Sequence, residues 1–151
     1  MLSLRTLRRL FAHQPTVIEK GTSWSLERQF SRSDVETYAE LSGDKNPVHL
    51  DEKAAAASMF KKPIAHGMLG ASLFSNVLGN NIPGAIYMKQ TLKFTKPIYF
   101  DEKVTAVLTV IETNPQKKRI VIETKVVKPD GRNAIEGEAL VWVNNEAIEV
   151  K

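Results

Sequence analysis

The chain has no cysteine among its 151 residues. Disulfides and thiolate metal centres are therefore excluded outright. It also lacks any apolar run approaching the ~20 residues that a membrane-spanning helix requires. The longest candidate, Met68 to Gly79, carries Ser72, Ser75 and Asn76 and reads as a buried helix, so no membrane insertion is expected. Repeats and low-complexity tracts are missing as well, which removes solenoid and linker-like plans. Acidic residues are absent from Met1 to Ile18, although the whole chain has 17 Asp+Glu against 21 Lys+Arg.

That local absence explains most of the positive charge. Arg5, Arg8 and Arg9 alternate with Leu2, Leu4, Leu7, Leu10 and Phe11, an Arg-rich, acid-free amphipathic pattern expected of a mitochondrial transit peptide over residues 1–18, the competing reading being a basic N-terminal arm that binds an acidic surface or lipid. Arg9-Leu10-Phe11 before Ala12 also resembles a matrix-protease site, which places the mature protein in the mitochondrial matrix. Without the three arginines, 18 basic residues face 17 acidic ones. So balanced a remainder argues against a nucleic-acid partner, which needs a basic face. Lys117-Lys118-Arg119 is a short run with no aromatic stacking platform beside it and reads as a solvated hairpin tip.

What is present is an ordinary globular composition, 42% hydrophobic and 25% charged, over one domain at residues 19–151. Trp24 to Phe30 reads as a strand. Ser33 and Glu36 have the spacing of a capping box, opening a helix through Val35, Tyr38, Ala39 and Leu41 that Gly43 ends. Asp51 caps a short alanine-rich helix, Glu52 to Met59. From Met68 a helix follows that is apolar nearly all round and must be enclosed by protein. Four strand patterns succeed it: Ile86 to Phe94 with half-buried alternation, Val104 to Ile111, Ile120 to Val127 and Ala134 to Val143. Lys128-Pro129-Asp130-Gly131 is the turn between the last two. The expected class is α+β, a five-stranded antiparallel sheet wrapped around one long buried helix.

The chemistry concentrates in Leu41-Ser42-Gly43-Asp44-Lys45-Asn46-Pro47-Val48-His49. Gly43 and Asn46-Pro47 force a turn there, so a regular helix is not expected. A carboxylate and an imidazole five positions apart on such a segment can converge on one small volume and pass a proton either way near neutral pH. Asn46 orients the loop and Pro47 fixes it. Downstream, Ile64-Ala65-His66-Gly67-Met68 opens the apolar helix, where unpaired backbone N–H groups and partial positive charge can hold a developing oxyanion. His66 reads as a structural histidine. Ser75 is a candidate substrate contact, the competing reading being a hydroxyl bonded to a preceding carbonyl. With His49 and His66 the only histidines beyond the leader, no metal site is expected.

Tyr38 to Asp51 and Pro63 to Met68 together resemble the MaoC-like, R-specific hydratase/dehydratase family of hot-dog folds. The resemblance continues more weakly through Phe94-Thr95-Lys96-Pro97-Ile98 and spans about Trp24 to Val143. It implies catalysis by Asp44 and His49, an oxyanion contact at the Gly67 backbone, no cofactor and a homodimer. Combined with the leader, the chain looks most like the family's mitochondrial type 2 3-hydroxyacyl-thioester dehydratases. The implied reaction is reversible loss of water from a (3R)-hydroxyacyl thioester on acyl carrier protein; the alternatives are R-specific hydration of enoyl-CoA and a non-catalytic acyl-binding subunit. Two positions depart from the family pattern: Lys61 and Phe100 stand where small residues or glycine are common.

Overall fold

The computed structural model describes residues 16–146 and 148–151. Its elements are β1 (Thr16–Ile18), β2 (Ser23–Arg28), α1 (Arg32–Ser42), α2 (Pro47–Leu50), α3 (Glu52–Ala57), α4 (Gly67–Asn81), β3 (Ala85–Gln90), β4 (Lys93–Phe94), β5 (Val104–Asn114), β6 (Arg119–Val127), β7 (Asn133–Val143) and β8 (Ile148–Val150). The main sheet runs β2-β5-β6-β7-β3, every pairing antiparallel, with β4 added alongside β7. It packs on α4. Val104, Ala106, Leu108 and Val110 of β5, Ile120, Ile122 and Val126 of β6, and Ala139, Val141 and Val143 of β7 join Leu73, Phe74, Val77 and Leu78 in one core. The α+β expectation of a sheet around a long helix therefore holds.

Several local expectations do not. β1 pairs in parallel with β8, and Ile18 is fully buried in the core. The folded domain thus begins by Thr16, and a leader ending at residue 18 would cut into it; residues 1–15, which carry the rest of that segment, lie outside the described residues. The N-cap of α1 is Ser31, not Ser33. Ser31 Oγ accepts from the Asp34 N–H at 3.1 Å and Asp34 Oδ2 accepts from the Ser31 N–H at 2.9 Å. Phe30 before the cap and Val35 at the fourth helical position are both in the core, a hydrophobic staple that fixes this choice. Gly43 ends α1 as expected, in a left-handed conformation at φ 78°.

The strand expected from Ile86 to Phe94 divides in two. A bulge at Met88 shifts its register against β7, and Gly137 lets the Thr91 carbonyl approach so closely that a Cβ there would lie 1.8 Å from it. Alternation breaks as a result, leaving Ile86 and Met88 each 47% exposed while Tyr87 packs inward. Nor is α4 enclosed on every side. Met68, Ser72 and Ser75 line an open groove with β3, and Asn76 is exposed on the side toward β2. The departures at Lys61 and Phe100 fall at tight backbone: Lys61 itself has φ 67°, and Asp101, next to Phe100, has φ 57°.

Candidate active site

Asn46-Pro47 does not prevent a helix; it starts one. Asn46 is the N-cap of α2, its Oδ1 accepting from the Val48 N–H at 3.3 Å, and Pro47 occupies a first-turn position where its missing N–H costs nothing. Asp44 Oδ1 accepts from the Asn46 N–H at 3.2 Å, tightening the turn that leads in. His49, in the last turn of α2, is held from the other side. Its Nδ1 lies 2.8 Å from the Ile64 carbonyl oxygen, which can only accept, so the neutral ring carries its proton on Nδ1 and keeps a lone pair on Nε2. Burial pushes the His49 pKa down, the Ile64 hydrogen bond opposes this, His66 adds to the fall, and Asp44 partly reverses it.

His66 is the N-cap of α4 and is 1% exposed. Its Nε2–H donates to the Asp44 backbone oxygen at 2.9 Å, and its ring stacks on His49 with centroids 3.9 Å apart. That is a positioning geometry, in keeping with the structural reading. Nδ1 of His66 is left buried without a partner.

The Asp44 side chain is 54% exposed. Asp44, His49 and His66 each bring one polar atom to within 4.8 Å of the others. Such a trio could in principle hold a cation. Ligands at ~2.0–2.1 Å from zinc in a tetrahedron stand only about 3.4 Å apart, closer than the 4.8 Å span of this trio, and His66 Nε2 already donates its proton to the Asp44 carbonyl oxygen.

The start of α4 remains open. No side chain caps it, and the first hydrogen bond to close is Gly70 N–H to His66 O at 3.1 Å, leaving the N–H groups of Gly67 to Leu69 without intrahelical acceptors. Gly67 and Met68 share a cavity of about 600 Å³ with Asp44, His66, Phe60 and Tyr99. His49 does not line it; its ring lies behind His66, 3.9 Å away between centroids. A second groove of about 520 Å³ is lined by Ser75, Ala71, Tyr87 and Met88. Tyr38 and Met68 belong to both, so the two meet beside Asp44 and His66. Ser75 accordingly lies in the adjoining groove and not beside Gly67. Its Oγ donates to the Ser72 carbonyl at 3.1 Å from an exposed position, although a buried one was expected.

A MaoC-like domain matches residues 14–130. The chain belongs to the MaoC-like family. It is 43% identical over 136 residues to an (R)-specific enoyl-CoA hydratase of Rhodospirillum rubrum, covering 89% of this chain and 94% of that one. It is 33% identical over 135 residues to the mitochondrial 3-hydroxyacyl-[acyl-carrier-protein] dehydratase FERN of Solanum lycopersicum, covering 88% and 82%. The solved (R)-hydratase of A. caviae involved in PHA biosynthesis superposes with a TM-score of 0.80 at 39% identity, over 83% of this chain and 97% of that structure. The fold is therefore the hot-dog fold, and the enzyme class is hydro-lyase.

Lys128 and Glu102 escaped the sequence reading. Lys128 opens the Lys128–Gly131 turn, yet its side chain is 5% exposed and ion-paired with Glu102 at 2.8 Å. A lysine beside Pro-Asp-Gly has no feature in sequence that marks it as buried.

Proposed function

We propose that this MaoC-like enzyme dehydrates (3R)-3-hydroxyacyl thioesters reversibly, with acyl carrier protein in the mitochondrial matrix as the carrier. The observation that carries the reading is the convergence of Asp44 and His49 within 4.8 Å beside the uncapped start of α4. Dehydration breaks the C2–H and C3–O bonds: one proton leaves C2, hydroxide leaves C3 with a proton, and the electron pair from C2–H becomes the new double bond. In reverse, a water held by Asp44 and His49 gives hydroxide to C3 and a proton to C2. The negative charge that builds on the thioester oxygen is received by the Gly67 backbone N–H. The neutral His49 tautomer supplies a free Nε2 lone pair for the proton transfer. The chemistry calls for no cofactor.

Two cavities meeting at Tyr38 and Met68 suit a substrate with an acyl chain on one side of the thioester and a long carrier arm on the other. Lys96 lines the first cavity and Lys62 Nζ sits 4.4 Å over the Tyr99 ring, giving cationic groups for the phosphate of the arm. The carrier and compartment rest on the leader composition and the plant mitochondrial relatives. The similarity to a bacterial (R)-specific enoyl-CoA hydratase supports the second reading, CoA thioesters. Turnover of matched acyl-carrier-protein and CoA thioesters, resolved by C3 stereoisomer, decides between them. A homodimer accompanies either reading: β3 is a free sheet edge, and Ile86 and Met88 leave apolar surface there.

A further inference from the structure

We propose that Lys128 is a positioning residue for His49, acting through the Lys128–Glu102 pair, whose ammonium is buried and whose carboxylate is partly exposed, and the Pro97–Tyr99 strap. The connection is continuous. Lys128 Nζ donates to the Pro97 carbonyl at 2.5 Å and to Glu102 Oε2 at 2.8 Å, and the same Oε2 accepts from the Tyr99 N–H at 3.1 Å. One ammonium and one carboxylate thus fasten both ends of a three-residue strap. Between them, the Ile98 carbonyl accepts from the Ala65 N–H at 2.8 Å, and Ile64 bridges Tyr99. Ile64 is the residue whose carbonyl oxygen holds His49 Nδ1 at 2.8 Å. Tyr99 reinforces the path by donating its hydroxyl to the Phe60 carbonyl at 3.2 Å and placing its ring 5.2 Å from the Lys128 ammonium.

Chemistry explains why such a clamp sits there. The segment that carries His49 is a four-residue helix outside the sheet, and the neighbouring Ile64–His66 stretch is held by a single isolated bridge, Ile64 to Tyr99. A buried pair is a poor source of stability, since removing two charges from water offsets most of their attraction. Its geometric consequence is larger. The Ile64 carbonyl selects the Nδ1–H tautomer of His49, and with it the free lone pair on Nε2. Loosening the strap releases that selection.

The inference rests on the reading of His49 as a proton-handling group, and its test is read on the ring itself. In 15N NMR of the imidazoles, neutral wild-type His49 is expected as the Nδ1–H tautomer. Lys128→Met with Glu102→Leu removes both charges together, so the fold is kept while the clamp is lost. This double variant is expected to melt close to wild type, to show a mixed His49 tautomer, and to lose ~10-fold or more in turnover, a misplacement of 1 Å being worth up to ~10²-fold. Lys128→Arg, which keeps the donor, should restore the wild-type tautomer. Should the double variant fail to fold, Lys128→Met alone leaves the partly exposed Glu102 carboxylate on the Tyr99 N–H, frees the Pro97 end of the strap, and is expected to mix the tautomers in the same sense. A folded clamp variant with the wild-type tautomer and turnover overturns the proposal. If the tautomer shifts but the wild-type protein shows no hydratase or dehydratase activity, the clamp stands and the functional reading falls.

Discussion

Placing a side chain on Gly67 separates the two demands made on that residue. A Cβ built there lies 2.7 Å from two atoms of the Phe94 ring, about 1 Å inside the ~3.5–4.0 Å optimum for carbon contacts. Overpacking of this kind costs ~1–3 kcal/mol, but the ring is 51% exposed and can swing aside, so Gly67→Ala should fall at the lower end. Gly67→Val adds bulk beside the N–H proposed to receive the thioester oxygen. If that N–H is the oxyanion donor, the full loss of its contact is worth ~2.7–4 kcal/mol, or about 10²–10³-fold in turnover. Both kcat and KM should worsen, because obstruction at the carbonyl weakens binding and chemistry together. Pairing Gly67→Val with Phe94→Ala distinguishes the causes by steady-state kinetics and thermal melts. Relief of the ring contact should recover melting temperature but not turnover. Full recovery of turnover in the pair would show that the ring clash alone caused the defect, and wild-type kinetics for Gly67→Val would remove Gly67 from the reacting carbonyl.

Asp44→Asn and His49→Ala should each cut turnover by at least ~10²-fold, with the double variant losing far less than the product, measured in a cycle on one acyl thioester. Asp44→Asn should fold normally, whereas His49→Ala strands the Ile64 carbonyl and should lower the melting temperature as well, since an unsatisfied buried acceptor costs ~1–3 kcal/mol. Because the folded His49 pKa lies below 6.5, the unfolded chain binds more protons as pH drops through that value; stability present above it should decline toward the folded pKa, and His49→Gln should flatten the decline in melts across pH 5–8. Deletion of residues 1–13 should spare activity and abolish mitochondrial import, while deletion through Ile18 should also destabilise the domain because it removes β1; import of the shorter chain would refute the leader assignment.

How much of this was legible in sequence depended on whether a local pattern or a distant contact decided each feature. The α1 stop at Gly43 and the Asp51 cap rest on local chemistry and agree with the structure, whereas the enclosure expected for α4 does not, because Met68, Ser72, Ser75 and Asn76 stay exposed. Ser33 was chosen as a cap because Glu36 follows at the right spacing, but Ser31 and Asp34 have the same signature, and burial of Phe30 settles the choice. Ile86 to Phe94 failed for a different reason. Its register is set by close approach to Gly137 on another strand, which no window of alternation contains. Asp44, His49 and Gly67 were visible as a motif in order. That His66 touches both Asp44 and His49 became visible only with the chain folded.

The site also shows why its residues are spread over separate elements. A helix would hold Asp44 and His49 rigidly but point them according to its own period, and a free loop would bring them together without fixing either. Here a one-turn helix, started by Asn46-Pro47, carries His49, while Asp44 stays in the turn before it with its carboxylate half in water. The backbone around both is then fixed by groups from elsewhere: the His66 imidazole on the Asp44 carbonyl and the Ile64 carbonyl on the His49 ring. Exposure and burial are thereby divided between the two partners, with the carboxyl group facing the cavity and desolvation disfavouring the charged form of the imidazole. His66→Gln puts that division to the test: an amide can still donate toward the Asp44 oxygen but cannot stack on His49. Turnover should fall by less than in either Asp44→Asn or His49→Ala, with 15N spectra showing the Nδ1–H tautomer of His49 retained. A loss as deep as that of Asp44→Asn, in a folded protein with that tautomer intact, would mean that His66 takes part in the chemistry itself.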